Sequence, residues 1–171
     1  MPKTETPPRT PTAARSPETD TAARLRAVIG KLSRRLRPTA AATRAGLTPT
    51  RVSVLFTVVR AGPIRISQLA TSEGINPTML SRVVSDLADD GLLERVSDEH
   101  DRRAAWVEAT SAGRRLAERM RRERTDAVTV ALAGLNPDER RLIEDALSAL
   151  EGLAEELKLQ SWSTDAERGR T

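Results

Sequence analysis

The chain has 171 residues, of which 38% are hydrophobic and 30% charged, so it is long enough to bury the core of a single domain. Its net charge is +4, and apart from Lys3, Lys31 and Lys158 every basic residue is an arginine, the side chain suited to bidentate contacts with phosphate or carboxylate. The absence of cysteine and the single histidine, His100, exclude disulfide scaffolds, thiolate metal centres, cysteine nucleophiles and a pair of imidazoles for zinc, and no cofactor is expected.

Residues 1–18 hold Pro2, Pro7, Pro8, Pro11 and Pro17 among Thr, Arg and Ala, and are predicted to be a disordered arm. They contain no apolar signal-like core, and no stretch of the chain approaches the length of a membrane span, so a cytoplasmic location without membrane contact is the expectation. From about 20 to 44, Leu25, Ile29, Leu32 and Leu36 form one apolar stripe on a basic helix that Pro38 should interrupt. Thr48-Pro49 then supplies an N-cap and an N1 proline for a short helix with Val52, Leu55, Phe56 and Val59 inward, stopped by Gly62-Pro63.

Two further helices are predicted over 67–73 and 77–90, separated by Gly74-Ile75-Asn76. Leu69, Ala70, Ile75, Leu80, Val83, Val84 and Leu87 would point inward, and Gly74 stands where the turn needs a positive φ, which is the pattern of a helix-turn-helix. The second helix begins at Asn76 and Pro77, and its outward face then carries Thr78, Met79, Ser81, Arg82 and Ser85. These small groups fit a major groove: Arg82 could pair with guanine, Thr78 and Ser81 could reach a base edge or phosphate, and Met79 a thymine methyl. The helix start at Asn76 and Pro77 would favour a phosphate.

From Leu92 to Ala109 the period shortens to two, with a charged tip containing Asp98, Glu99, Asp101, Arg102 and Arg103, and a hairpin is predicted. One short extra strand is expected at Ile64 and Arg65. Thr110 caps a helix running to about Ala133, and Asn136-Pro137-Asp138-Glu139 opens a last one with Leu142, Ile143, Leu147, Leu150, Leu153 and Leu157 on its apolar face. Residues 159–171 are expected to form a flexible tail. The order α-α-α-α-β-β-α-α describes a mainly α chain with a small β wing, a winged helix-turn-helix.

Charge is unevenly placed: Thr21–Ser72 has ten basic residues and no acid, whereas residues 134–171 have nine acids against five bases. Three aromatic residues, Phe56, Trp106 and Trp162, cannot furnish a stacking platform for single-stranded nucleic acid, so duplex DNA is the favoured polymer. A helical protein–protein interaction module with arginine-rich faces is the alternative; an enzyme lacks an activating partner for its Ser and Thr hydroxyls.

The segment Asp101-Arg102-Arg103-Ala104-Ala105-Trp106-Val107-Glu108-Ala109-Thr110-Ser111-Ala112-Gly113 resembles the wing signature of the MarR family of bacterial transcription regulators, with Ala109 where leucine is usual. Leu47-Thr48-Pro49 and Gly91-Leu92-Leu93 followed by Arg95 match the same family, and the resemblance spans about residues 22–157. It implies a homodimer whose body is made by residues 19–46 and 110–158, with a DNA-binding lobe over 47–110 and paired recognition helices reading a pseudo-palindromic site. Carried over by position, Thr78, Met79, Ser81 and Arg82 match the base-facing part of the recognition helix, and Arg102 and Arg103 the wing, with Arg103 favoured for the minor groove. Asp101 resembles the acid that orients a wing arginine; Arg95, Arg102 and Arg103 all stand as its possible partner. The family also implies a small aromatic or anionic effector, and the lack of cysteine argues against a peroxide-sensing role.

Overall fold

A computed structural model describes residues 16–97 and 105–168. The first helix, α1 (Pro17–Leu36), ends at Arg37, where Pro38 interrupts the chain as expected. It starts earlier than the sequence reading places it. Ser16 is the N-cap, its hydroxyl accepting from the Thr19 N–H at 3.3 Å, and Pro17 is the N1 proline of a helix rather than the end of the arm. After α2 (Ala40–Arg44) comes α3 (Pro49–Ala61), capped by Thr48 and closed by Gly62 at φ +75°.

The short strand β1 (Ile64–Arg65) leads into α4 (Ile66–Glu73), and α5 (Pro77–Asp89) follows after three residues. Gly74 adopts the left-handed conformation expected of it, φ +61°, and hands the backbone from α4 to the turn. Strands β2 (Leu93–Ser97) and β3 (Ala105–Ala109) pair antiparallel, with Arg95 opposite Val107 and Val96 opposite Trp106. β1 adds to the other edge of β3, giving a three-stranded sheet in the order β1-β3-β2.

Contacts divide the chain into two units, residues 1–120 and 121–171. The first unit holds the core: Val54, Leu55 and Val58 of α3, Leu69 of α4, Leu80, Val84 and Leu87 of α5, Leu93, Val107, Ala117 and Met120 are buried together. Helix α6 (Ser111–Ala133) enters this core through Gly113, Ala117 and Met120. Its start is locked by Thr110, whose hydroxyl accepts from the Gly113 N–H at 3.0 Å and donates to the Gly91 carbonyl at 2.7 Å. Gly113 lies directly on the Leu92 backbone. A Cβ there would overlap the Leu92 carbonyl oxygen and stand 3.0 Å from its carbon and 3.3 Å from Leu55 Cδ1.

The second unit consists of the end of α6 and the long helix α7 (Pro137–Arg168). Its start is the expected capping box: Asn136 Oδ1 accepts from the Glu139 N–H at 2.8 Å, and Glu139 Oε2 accepts from the Asn136 N–H at 3.1 Å. α7 continues to Arg168, through the segment read from sequence as a flexible tail; between Gly152 and Gly169 no glycine or proline stops it.

Neither the apolar stripe of α1 nor that of α7 is covered. No residue of α1 is buried, and Val28, Ile29 and Leu32 are exposed, as are Leu142, Ile143, Leu147, Leu150, Leu153 and Leu157 of α7. No described helix is long and apolar enough to cross a membrane.

Candidate nucleic-acid interface

Helix α5 separates its two faces cleanly. Leu80, Val84 and Leu87 are fully buried against α3 and α4, which fixes the roll of the helix and turns the remaining positions outward. Thr78, Met79, Ser81 and Arg82 are all exposed, Met79 to 59%, a high value for a large apolar side chain. The helix start is held by Asn76, whose Oδ1 accepts from the Thr78 N–H at 2.9 Å, with Pro77 at N1.

The arginine on this face is unengaged: Arg82 makes no hydrogen bond or ion pair with the described residues. Ser85, one turn before the helix end, is half-buried and differs from the others. Its hydroxyl accepts from Arg95 Nη2 on β2 at 2.9 Å, so the wing strand is tied to the recognition-type helix by a side-chain bond. Arg95 thus reaches Ser85, a partner not foreseen from its spacing. Asp101, Arg102 and Arg103, with His100, lie in the segment 98–104 outside the described residues.

Two further contacts, not picked out by the sequence reading, brace the site. Arg51 of α3 donates through Nη2 to Asp86 Oδ2 at 2.5 Å and stands 3.5 Å from Asp90 Oδ2, at the far end of α5. The hydrogen bond to Asp86 pushes the Arg51 pKa up, desolvation opposing it, and the charges of Asp86 and Asp90 add to the rise. The signal present in the sequence is a pair of carboxylates one turn apart, Asp86 and Asp90, facing an acid-free segment that supplies the cation. On the wing, the Arg65 guanidinium lies over the Trp106 ring, 5.3 Å from its centroid, joining β1 to β3.

A helix-turn-helix with an outward polar face, followed by an antiparallel hairpin whose base is packed on the same core, is the geometry of a winged DNA-binding module. Comparison with known proteins agrees. The family model described as MarR family matches residues 47–105. The HTH-type transcriptional regulator Mb0904 of Mycobacterium bovis is 30% identical over 128 residues, covering 75% of this chain and 88% of that protein.

The chain belongs to the MarR family. Among solved structures, the transcriptional regulator Tm0710 from Thermotoga maritima matches with a TM-score of 0.69 and 25% identity, over 80% of this chain and 95% of that one. MepR from S. aureus, in a structure with a bound oligodeoxyribonucleotide, shares the fold at a TM-score of 0.59 and 14% identity, over 78% and 97% of the two chains. This MarR-family chain is therefore a winged-helix transcription regulator.

Proposed function

We propose that the protein is a sequence-specific duplex-DNA-binding regulator that acts as a homodimer on a pseudo-palindromic operator. Helix α5 enters the major groove with Thr78, Met79, Ser81 and Arg82, and the wing places Arg102 or Arg103 in the adjacent minor groove. The observation that carries this reading is the split of α5, whose inner face is fully buried while the outer one is exposed and bears an arginine with no partner among the described residues.

Two uncovered apolar stripes, on α1 and on α7, support the dimer, since a monomer seldom leaves that many leucines in water. We further propose repression relieved by a small aromatic or anionic effector, with the arginines of the acid-free segment Thr21–Ser72 as its charge complement. An effector that favours the DNA-incompetent state by ~3 kcal/mol weakens operator binding roughly a hundredfold.

The test is a shift assay on duplex DNA from the region upstream of the protein's own gene, with wild type, Arg82→Ala and Arg103→Ala. Loss of about tenfold in affinity is expected for Arg82→Ala, the worth of one good bidentate base contact. Equal binding by all three proteins refutes the role assignments. A footprint confined to one half-site, instead of two spaced by ~34 Å, refutes the dimeric geometry.

A further inference from the structure

Arg51 is the third residue of α3, and its backbone is fixed by the cap: its N–H donates to Thr48 Oγ1 at 3.4 Å. From there the side chain leaves its own helix and ends between two carboxylates of another, Asp86 at 2.5 Å and Asp90 at 3.5 Å. The Arg51 side chain is 25% exposed and that of Asp86 37%, so the pair is partly withdrawn from water, where charge pairing is stronger than on an open surface.

Asp86 also lies one turn beyond Arg82 on α5, the spacing at which helix side chains meet. Asp86, Asp89 and the cap residue Asp90 leave α5 with an excess of acid over its one arginine, next to the face proposed to meet a polyanion. In the order arginine then aspartate, an i,i+4 pair is the weaker of the two arrangements. Arg51 holds Asp86 instead, and Arg82 has no partner among the described residues.

We propose that Arg51 is a positioning residue for DNA recognition: by occupying Asp86 and Asp90 it keeps Arg82 available to a base edge. This rests on the reading of the outer face of α5 as the DNA-reading surface. Without Arg51, Asp86 captures Arg82, and a duplex must break that pair and accept a bare carboxylate beside its phosphates before the base is read.

A double-mutant cycle separates this role from a simple clamp between α3 and α5. Wild-type protein is used to enrich a duplex from a randomised pool. The affinities of Arg51→Gln, Asp86→Asn and the double variant are then measured by fluorescence anisotropy on that duplex and on an unselected duplex of equal length. Arg51→Gln is expected to lower the selected-to-unselected ratio by about twofold, the cost of first breaking one i,i+4 pair between Asp86 and Arg82. The double variant is expected to return to the level of Asp86→Asn alone, because no carboxylate remains to take Arg82.

A double variant as impaired as Arg51→Gln shows a clamp and overturns the proposal, as does an unchanged ratio in Arg51→Gln. Should Arg51→Gln fail to fold, Arg51→Lys replaces it: a single ammonium cannot reach both carboxylates as the guanidinium fork does, and its smaller drop must again be reversed by Asp86→Asn. If wild type enriches no duplex, the DNA reading itself fails, an outcome distinct from an enriched duplex that ignores Arg51.

Discussion

One substitution, glycine to alanine, should act in three different ways at three glycines of this chain. At Gly113 the new methyl overlaps the Leu92 carbonyl oxygen and presses on Leu55 Cδ1 at 3.3 Å. The Leu92 oxygen is not free to retreat, since it accepts the Thr110 N–H at 3.1 Å. Overpacking costs ~1–3 kcal/mol and a disrupted hydrogen bond ~1, while alanine in place of glycine in a helix returns ~1, leaving a net loss of about 1–3 kcal/mol. At Gly74 nothing lies within 4 Å of a Cβ, and the cost is the left-handed backbone alone, ~1 kcal/mol. At Gly152, inside α7 with open space around it, alanine should stabilise by up to ~1 kcal/mol. Thermal unfolding by circular dichroism at one fixed protein concentration reads all three, because each kcal/mol moves the Tm of a chain this size by about 2–4 °C. A Gly113→Ala protein as stable as wild type, or more stable than Gly74→Ala, refutes the packing argument.

Thr110→Ala should lose ~1–2 kcal/mol of stability, because one hydroxyl both caps α6 and holds the Gly91 carbonyl, whereas Thr110→Ser should stay near wild type in the same unfolding assay. Leu147→Glu, on the exposed stripe of α7, should yield the mass of a single protomer in sedimentation equilibrium and abolish operator binding while leaving the helical content of the first unit intact. A Leu147→Glu protein that still sediments as the wild type does removes α7 from the dimer body.

Elements written in local chemistry are legible in the amino-acid sequence itself. Thr48-Pro49, Asn136-Pro137 and Gly74 act within three or four residues of themselves, and each forms the cap or turn expected of it. The buried side of α5 follows from its period. Misplaced ends have equally local causes: by composition Pro17 belongs with the arm, although Ser16 before it and Glu18 after it make it an N1 proline. The run after Lys158 reads as a tail because its apolar spacing fades, yet a helix ends only where something stops it or water competes better. Contacts that span the fold are out of reach of such reasoning. Arg51 and Asp86 are 35 residues apart, and their meeting depends on how α3 crosses α5, just as Arg65 finds Trp106 only through the β1–β3 register.

The charge balance explains why such contacts matter to function. From Glu73 to Ala133 there are twelve acids against ten bases, a poor composition for holding a polyanion. Yet three acids in and beside the helix-turn-helix are engaged from α3: Arg51 holds Asp86 and stands beside Asp90, while the Thr57 hydroxyl donates to Glu73 Oε1 at 2.5 Å. Compensation therefore comes from the acid-free segment through space, and the proposed interface rests on which cations stay unengaged and where they point. Placement and excess make opposite predictions for α6, whose first turns carry the exposed Arg114, Arg115 and Arg119. If general charge drove binding, Arg119→Ala would weaken it as much as Arg82→Ala, since each removes one positive charge. If placement governs, Arg119→Ala stays within about twofold of wild type on a selected duplex and Arg82→Ala loses at least about fivefold, the lower bound of a base contact. Equal losses in the two variants, measured at one salt concentration, would mean that the outer face of α5 reads nothing.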